Sequence, residues 1–189
     1  MNVKKVTILA LIILTVNSYM IFAEDKVRDI QTRYGMSFSA GETYNPTNNI
    51  EFYLASGFIL YDYDKIWKHK APEQLRFKVE GSLGVAHDKK TRLVTSVNIF
   101  ALYYLDKLKS QTFRPYIEGG IGIIYTDFQI RGQGLRVNFN PQIGLGAEIK
   151  TNSDNTFFLA VRLHHISNGN LDDENVGIDS VMGVFGFYF

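Results

Sequence analysis

A two-residue period runs through most of this sequence and limits what the chain can become. In 136–149 the odd positions are Val137, Phe139, Pro141, Ile143, Leu145, Ala147 and Ile149. The even positions are Arg136, Asn138, Asn140, Gln142, Gly144, Gly146 and Glu148. A β-strand sends successive side chains to opposite faces, so this segment has one wholly apolar face and one polar or glycine face. In 113–127, Ile117, Ile121, Ile123 and Tyr125 oppose Arg114, Tyr116, Glu118 and Gly120. In 74–87, Leu75, Phe77, Val79, Leu83 and Val85 oppose Arg76, Lys78, Glu80 and Ser82. Eight such segments are predicted, at 31–41, 49–62, 74–87, 91–105, 113–127, 136–149, 156–167 and 177–189. Each is long enough to cross a bilayer when tilted.

Alternation does not say which face points inward, since soluble sandwiches and barrels alternate with the apolar face inside. Two features favour the apolar face outward. The polar face carries both signs of charge together with glycine, as the packed interior of a narrow barrel does. The chain also ends on a strand in which Val181, Phe185, Phe187 and Phe189 share one parity. That aromatic ending resembles the C-terminal assembly signal of outer-membrane barrels. The expected fold is all-β, an eight-stranded antiparallel up-and-down transmembrane β-barrel. A mean hydropathy of −0.07 is too polar for a helical membrane protein but suits a barrel, in which only alternate residues meet lipid. Aromatic residues at 14% and 16 glycines against 4 prolines suit strands and tight turns.

The chain divides into two parts. Lys4 and Lys5, the apolar run Val6 to Val16 and the small Ala23 after Ile21-Phe22 read as a signal peptide over 1–23. A transmembrane anchor is the alternative, but the strongly apolar run is shorter than the ~20 residues a spanning helix needs. The barrel domain is then 24–189. Net charge is +1, which makes no electrostatic case for nucleic acid. Cysteine is absent, so there is no disulfide, thiolate metal site, thiol nucleophile or lipoprotein anchor. No phosphate loop, zinc-ligand spacing or nucleotide motif is present, and no cofactor or metal is expected.

With both termini on the periplasmic side, the turn at 168–176 between the last two segments lies outside the cell. Eight strands enclose a bore filled by side chains, which disfavours a general porin. Arg136, Glu148, Glu118, Arg162 and His164 are expected to form that interior packing. Segment 63–73, with Trp67, is long for a turn and is expected to hold a short helical turn at the interface.

The last hairpin carries the chemistry. Phe157, Leu159, Val161, Leu163, His165 and Ser167 share one parity, so the lipid-facing stripe of 156–167 ends in two polar residues. A register that opposes Leu163 to Val181 also opposes His165 to Asp179 and Ser167 to Gly177, all on the outer face. His165 and Ser167 lie about 6.5–7 Å apart along that face, within reach of each other's side chains. Ser–His–Asp supplies a nucleophile, a general base and a carboxylate that holds the imidazole tautomer. Gly177 leaves room for a substrate carbonyl, and Asn168 or a loop N–H supplies the oxyanion donor. The alternative is that His165 and Ser167 are ordinary interfacial polar residues. Glu174 is a second candidate for the acid. Asp172, Asp173 and Glu174 read as a solvated loop tip rather than a cation site, and His69 and His87 as incidental.

The segment His165-Ile166-Ser167-Asn168, with Asn175, Gly177 and Asp179 beyond it, resembles the terminal motif of the lipid A 3-O-deacylase (PagL) family. Arg114-Pro115-Tyr116-Ile117-Glu118 and Phe139-Asn140-Pro141-Gln142-Ile143-Gly144 are similar to that family as well. The resemblance implies a multi-pass barrel of the Gram-negative cell outer membrane. It implies an esterase that removes the acyl chain at position 3 of lipid A, or lipopolysaccharide, without a metal, from a site facing the outer leaflet. His165 is then the base, Ser167 the nucleophile, Asp179 the acid and Asn168 an oxyanion contributor. The chain departs from the family's best-known pattern by carrying Asp where that pattern has Glu. A small structural or adhesive barrel without activity is the runner-up. A palmitoyl-transferring barrel is a third reading, and it would require an interior acyl pocket.

Overall fold

The structure, a computed structural model, describes residues 31–46, 50–67, 70–151 and 155–189. The expected leader at 1–23 and His69 lie outside the described residues. The strands are β1 Arg33–Asn45, β2 Glu51–Asp62, β3 Leu75–His87, β4 Thr91–Tyr104, β5 Phe113–Thr126, β6 Val137–Phe139, β7 Gln142–Lys150, β8 Thr156–Ile166 and β9 Ile178–Tyr188. A single helical turn, α1 Tyr63–Trp67, comes directly after β2, within the segment expected to hold one. Trp67 packs edge-on against Phe77 there, with ring centroids 6.0 Å apart.

Each span pairs antiparallel with the next, and β1 pairs with β9 as well as β2, so the ladder closes on itself. β6 and β7 both pair with β5 and are two halves of one span. They are split at Asn140-Pro141, because proline has no N–H to give to a ladder. The barrel therefore has eight spans, and the predicted single strand at 136–149 is interrupted.

The apolar face points out. Leu83, Val97, Ile143, Leu145 and Val161 are each at least 57% exposed, while Lys78, Glu80, Glu118 and Arg162 are at most 4% exposed. A soluble protein would leave the first group facing water; in an outer-membrane barrel that group meets lipid. The bore is filled in layers. Near its middle, Arg162 donates from Nε to Glu118 Oε1 at 2.7 Å and from Nη1 to Glu80 Oε1 at 2.8 Å. Lys78 Nζ donates to Glu118 Oε2 at 2.9 Å and sits 3.3 Å from Glu80 Oε2. Two cations and two carboxylates thus neutralise one another, and Phe100 lies 4.5 Å from both the Arg162 and Lys78 charges. Towards the chain's C-terminal end, Glu148 accepts from Arg33, from Tyr104 at 2.5 Å and from Tyr188 at 2.7 Å. Towards the opposite, loop end, Phe52, Ile124, Phe128, Ile166, Ile178 and Met182 form an apolar plug.

Glu118, Glu148, Arg162 and His164 are interior as expected, but Arg136 is not. It is exposed beyond the rim and pairs with Asp127, because the inward parity of its strand has meaning only within the barrel.

The central network makes a stability prediction. Arg162→Met leaves two buried carboxylates with one cation, and should cost on the order of 3–5 kcal/mol. Urea titration of the protein folded in detergent micelles, read by the gel-mobility shift of the closed barrel, checks this. An unchanged midpoint would show that the network does not hold the barrel together.

Candidate active site

The site is built where β8 and β9 leave the barrel at its loop end. The ladder pairs Leu163 with Val181, His165 with Asp179 and Ile166 with Ile178, which is the register the apolar matching predicted. Ile166 and Ile178 are fully buried, so their neighbours His165 and Asp179 must point outward. They stand at the end of a lipid-facing stripe in which Leu163 is 50% and Val181 37% exposed.

His165 and Asp179 are joined by a hydrogen bond, imidazole Nδ1–H to Asp179 Oδ1, of 2.5 Å. That contact selects the tautomer with Nε2 unprotonated and available to accept a proton. Asp179 Oδ2 accepts a second hydrogen bond, of 2.8 Å, from Asn45 Nδ2 on β1. Glu174, the other candidate acid, is exposed in the loop. Its carbonyl accepts from Asn168 and Gly134, and its carboxylate makes no bond to His165.

Ser167 comes next on the outer face, but it does not face Gly177 in the ladder. The β8–β9 pairing stops at Ile166–Ile178, and on its other edge Ser167 bridges to Phe139 of β6. Its carbonyl accepts from Phe139 N–H at 2.8 Å and its N–H donates to Phe139 O at 3.2 Å. Among the described residues its hydroxyl makes no hydrogen bond. Gly177 serves the histidine rather than the serine: a Cβ there would lie 2.6 Å from His165 Cε1 and 3.3 Å from Nε2.

Asn168 is turned inward and 1% exposed. Its Nδ2 donates to Glu174 O at 3.0 Å, its N–H donates to Asn175 Oδ1 at 2.8 Å, and its Oδ1 accepts from Asn170 N–H at 2.9 Å. Asn168 is thus the fastener of the 168–176 loop. Gly169 and Asn170 both take φ of 66°, which lets the chain double back immediately after Ser167. A second loop clamps the first, with Val176 N–H donating to Gly132 O and Gly134 N–H to Glu174 O, both at 2.7 Å. Asn45 and this clamp were missed by sequence reasoning, since each contact joins residues with no shared local pattern.

Asp172 Oδ1 accepts the Glu174 N–H at 2.9 Å and so shapes the loop tip. Among the described residues, no group of three or more histidine, aspartate or glutamate side chains is arranged to hold a metal ion. His87 lies at the β3–β4 turn, its Nδ1 3.2 Å from Thr91 Oγ1.

An eight-span barrel with an apolar outer wall and a neutralised polar bore belongs to the small outer-membrane barrels. Its structure is similar to the crystal structure of the outer-membrane enzyme PagL, with a TM-score of 0.58 and 22% identity over 80% of this chain and 97% of that one. It is equally similar in shape to Neisserial surface protein A, with a TM-score of 0.58 and 10% identity over 83% of this chain and 94% of that one. These likenesses show the fold. No curated protein matches the chain in sequence. A family profile, Lipid A 3-O-deacylase (PagL), matches residues 55–188. The chain belongs to the lipid A 3-O-deacylase family and is an outer-membrane protein.

The geometry around Gly177 can be tested. Gly177→Ala places a methyl group where the imidazole now lies, so the ring must turn away from Asp179. The expected result is loss of the His165 Nδ1 proton signal in ¹⁵N-resolved NMR, with the barrel's unfolding midpoint unchanged. A retained signal would mean that the ring does not rest on Gly177.

Proposed function

We propose that this protein hydrolyses the acyl ester at position 3 of lipid A by a serine mechanism, on the outer wall of the barrel. The observation that carries the reading is the His165–Asp179 hydrogen bond on a lipid-facing stripe, with Ser167 two residues along the same face. A hydrogen-bonded histidine and aspartate at the end of a stripe that carries exposed Leu163 and Val181 are costly polar residues on a lipid-facing wall.

In the proposed reaction His165 Nε2 takes the proton of the Ser167 hydroxyl as Oγ attacks the ester carbonyl carbon. Asp179 keeps Nδ1–H in place and stabilises the imidazolium that forms. The tetrahedral intermediate collapses, the sugar oxygen leaves with the proton from His165, and the acyl group stays on Ser167. A water, deprotonated by His165, then attacks the acyl-serine and releases the fatty acid. Turning the serine rotamer towards the imidazole closes the nucleophile–base contact, which is commonly loose before substrate binds. The Asn168 N–H donates to Asn175 Oδ1 and its side-chain amide to Glu174 O, and the main-chain donor beside the nucleophile is Gly169 N–H, which has no acceptor among the described residues. Asn168 holds the loop beside that donor.

The surroundings suit a lipid substrate. Below the site, the outer wall holds an apolar furrow floored by the small residues Ala40, Ala55 and Gly183 and flanked by Phe38, Leu159 and Phe185. Gly183 lies four residues beyond Asp179 on β9, roughly 13 Å down the wall. An acyl chain of about ten carbons spans that distance, so the ester can sit at the site while its chain remains among lipid tails. A site facing the outer leaflet would meet lipid A there without extracting it from the membrane.

Mass spectrometry of lipid A from cells expressing the wild type, Ser167→Ala and His165→Ala tests the reading. The wild type should remove one 3-linked acyl chain, and both variants should leave lipid A intact. Asp179→Asn should retain a small residual activity, because the nucleophile and base survive without their orienting group; losses of about 10⁴ are known for such a change. Intact lipid A in cells carrying folded wild-type protein would favour a structural barrel instead.

A further inference from the structure

Asp179 is a single carboxylate on an open wall, and an aspartate side chain turns easily about its terminal bond. One hydrogen bond to an imidazole does not fix the plane of that carboxylate. In this structure both oxygens are occupied, Oδ1 by His165 and Oδ2 by Asn45 Nδ2 at 2.8 Å. We infer that Asn45 is the positioning residue for the acid of this site, holding Asp179 in the orientation that receives His165 Nδ1–H. The inference rests on the serine-esterase reading above and deepens it.

How Asn45 comes to be there supports the inference. Along β1 the odd positions Gly35, Ser37 and Thr43 are buried, so regular alternation would turn Asn45 into the bore. The β1–β9 ladder instead shifts between Thr43–Ser180 and Asn45–Asp179, leaving Tyr44 as an extra residue. A bulge of this kind reverses the parity of the residues beyond it and re-aims a side chain. Tyr44 and Asn45 are consecutive and both exposed, so the bulge brings an amide donor onto the outer wall directly opposite Asp179. Asn45 lies 134 residues from Asp179 in sequence, and the barrel's closure brings them together. An amide suits the place: it donates to the carboxylate without adding a charge that would compete with the imidazole for it.

The test uses the whole protein in detergent micelles, with purified lipid A as the probe and released fatty acid as the readout. Asn45→Ala should lower kcat about tenfold, the scale of one hydrogen bond to a charged group, with KM within about twofold. In an Asp179→Ala background the same change should cause no further loss, since a residue that acts through Asp179 has nothing left to act on. Asn45→Asp, close to isosteric but unable to donate, should fall at least as far as Asn45→Ala. Wild-type kcat in Asn45→Ala, or equal fold-losses in both backgrounds, would overturn the inference and leave Asn45 a merely structural part of the bulge. The His165 Nδ1 proton resonance decides the case without turnover. It should be lost or strongly broadened in Asn45→Ala as in Asp179→Ala, whereas an unchanged resonance overturns the proposal. A wild type that releases no fatty acid would sink the esterase reading and leave this spectroscopic arm to judge Asn45.

Discussion

The hydrogen bonds between β1 and β9 are the constraint on which the rest of this structure depends. Lipid offers no partners to a backbone N–H or C=O, so a sheet that spans a membrane must have no free edge. Closing β1 on β9 removes the edge and makes every strand two-sided, one face to lipid and one to the bore. From then on the parity of a residue decides its solvent. His164 and His165 are adjacent, yet one is buried beside Ser180, its Nδ1 2.8 Å from Ser180 Oγ, and the other is hydrogen-bonded to Asp179 on the outer wall. The same closure brings Asn45 and Asp179, from opposite ends of the barrel domain, side by side.

Closure also creates a problem inside. An eight-strand bore has room for side chains but not for bulk water. Its polar residues must therefore satisfy one another, and the Lys78–Glu80–Glu118–Arg162 network does so with equal charges of each sign. The apolar plug of Phe52, Ile124, Ile166 and Ile178 then gives the loop end a firm base. The site stands on the outside of that base, since Ile166 and Ile178 anchor from within the two strands that present His165 and Asp179. The His165–Asp179 pair on the outer wall is thus supported by packing in the bore, one residue away through the backbone.

Much of this was legible in the amino-acid order. Eight alternating segments and the pairing of His165 with Asp179 come from a period of two and from matching Leu163 to Val181, and the apolar-out sense comes from the charged polar face and the aromatic last strand. The features that were not legible escaped for identifiable reasons. Pro141 splits the sixth span because it has no donor for the ladder, although its parity fits the strand. Arg136 obeys the inward parity of its segment but lies past the rim, where inward has no meaning. The β8–β9 ladder ends at Ile166–Ile178, short of Ser167 and Gly177, and Gly177 lies against the imidazole ring. Asn168 looks like a free donor beside Ser167, and only the loop's own hydrogen bonds reveal that its side chain ties Glu174.

The last hairpin's His165, Ser167 and Asp179 were placed on one outer face by sequence alone, because alternation within a strand is a local property. Which contacts these residues make was decided by tertiary structure. The bulge at Tyr44 inserts one residue with no local signature and turns Asn45 to Asp179. The clamp from Gly132 and Gly134 holds the loop behind the serine. Both depend on strands far apart in sequence meeting across a closed barrel, and a two-residue period carries no information about such meetings.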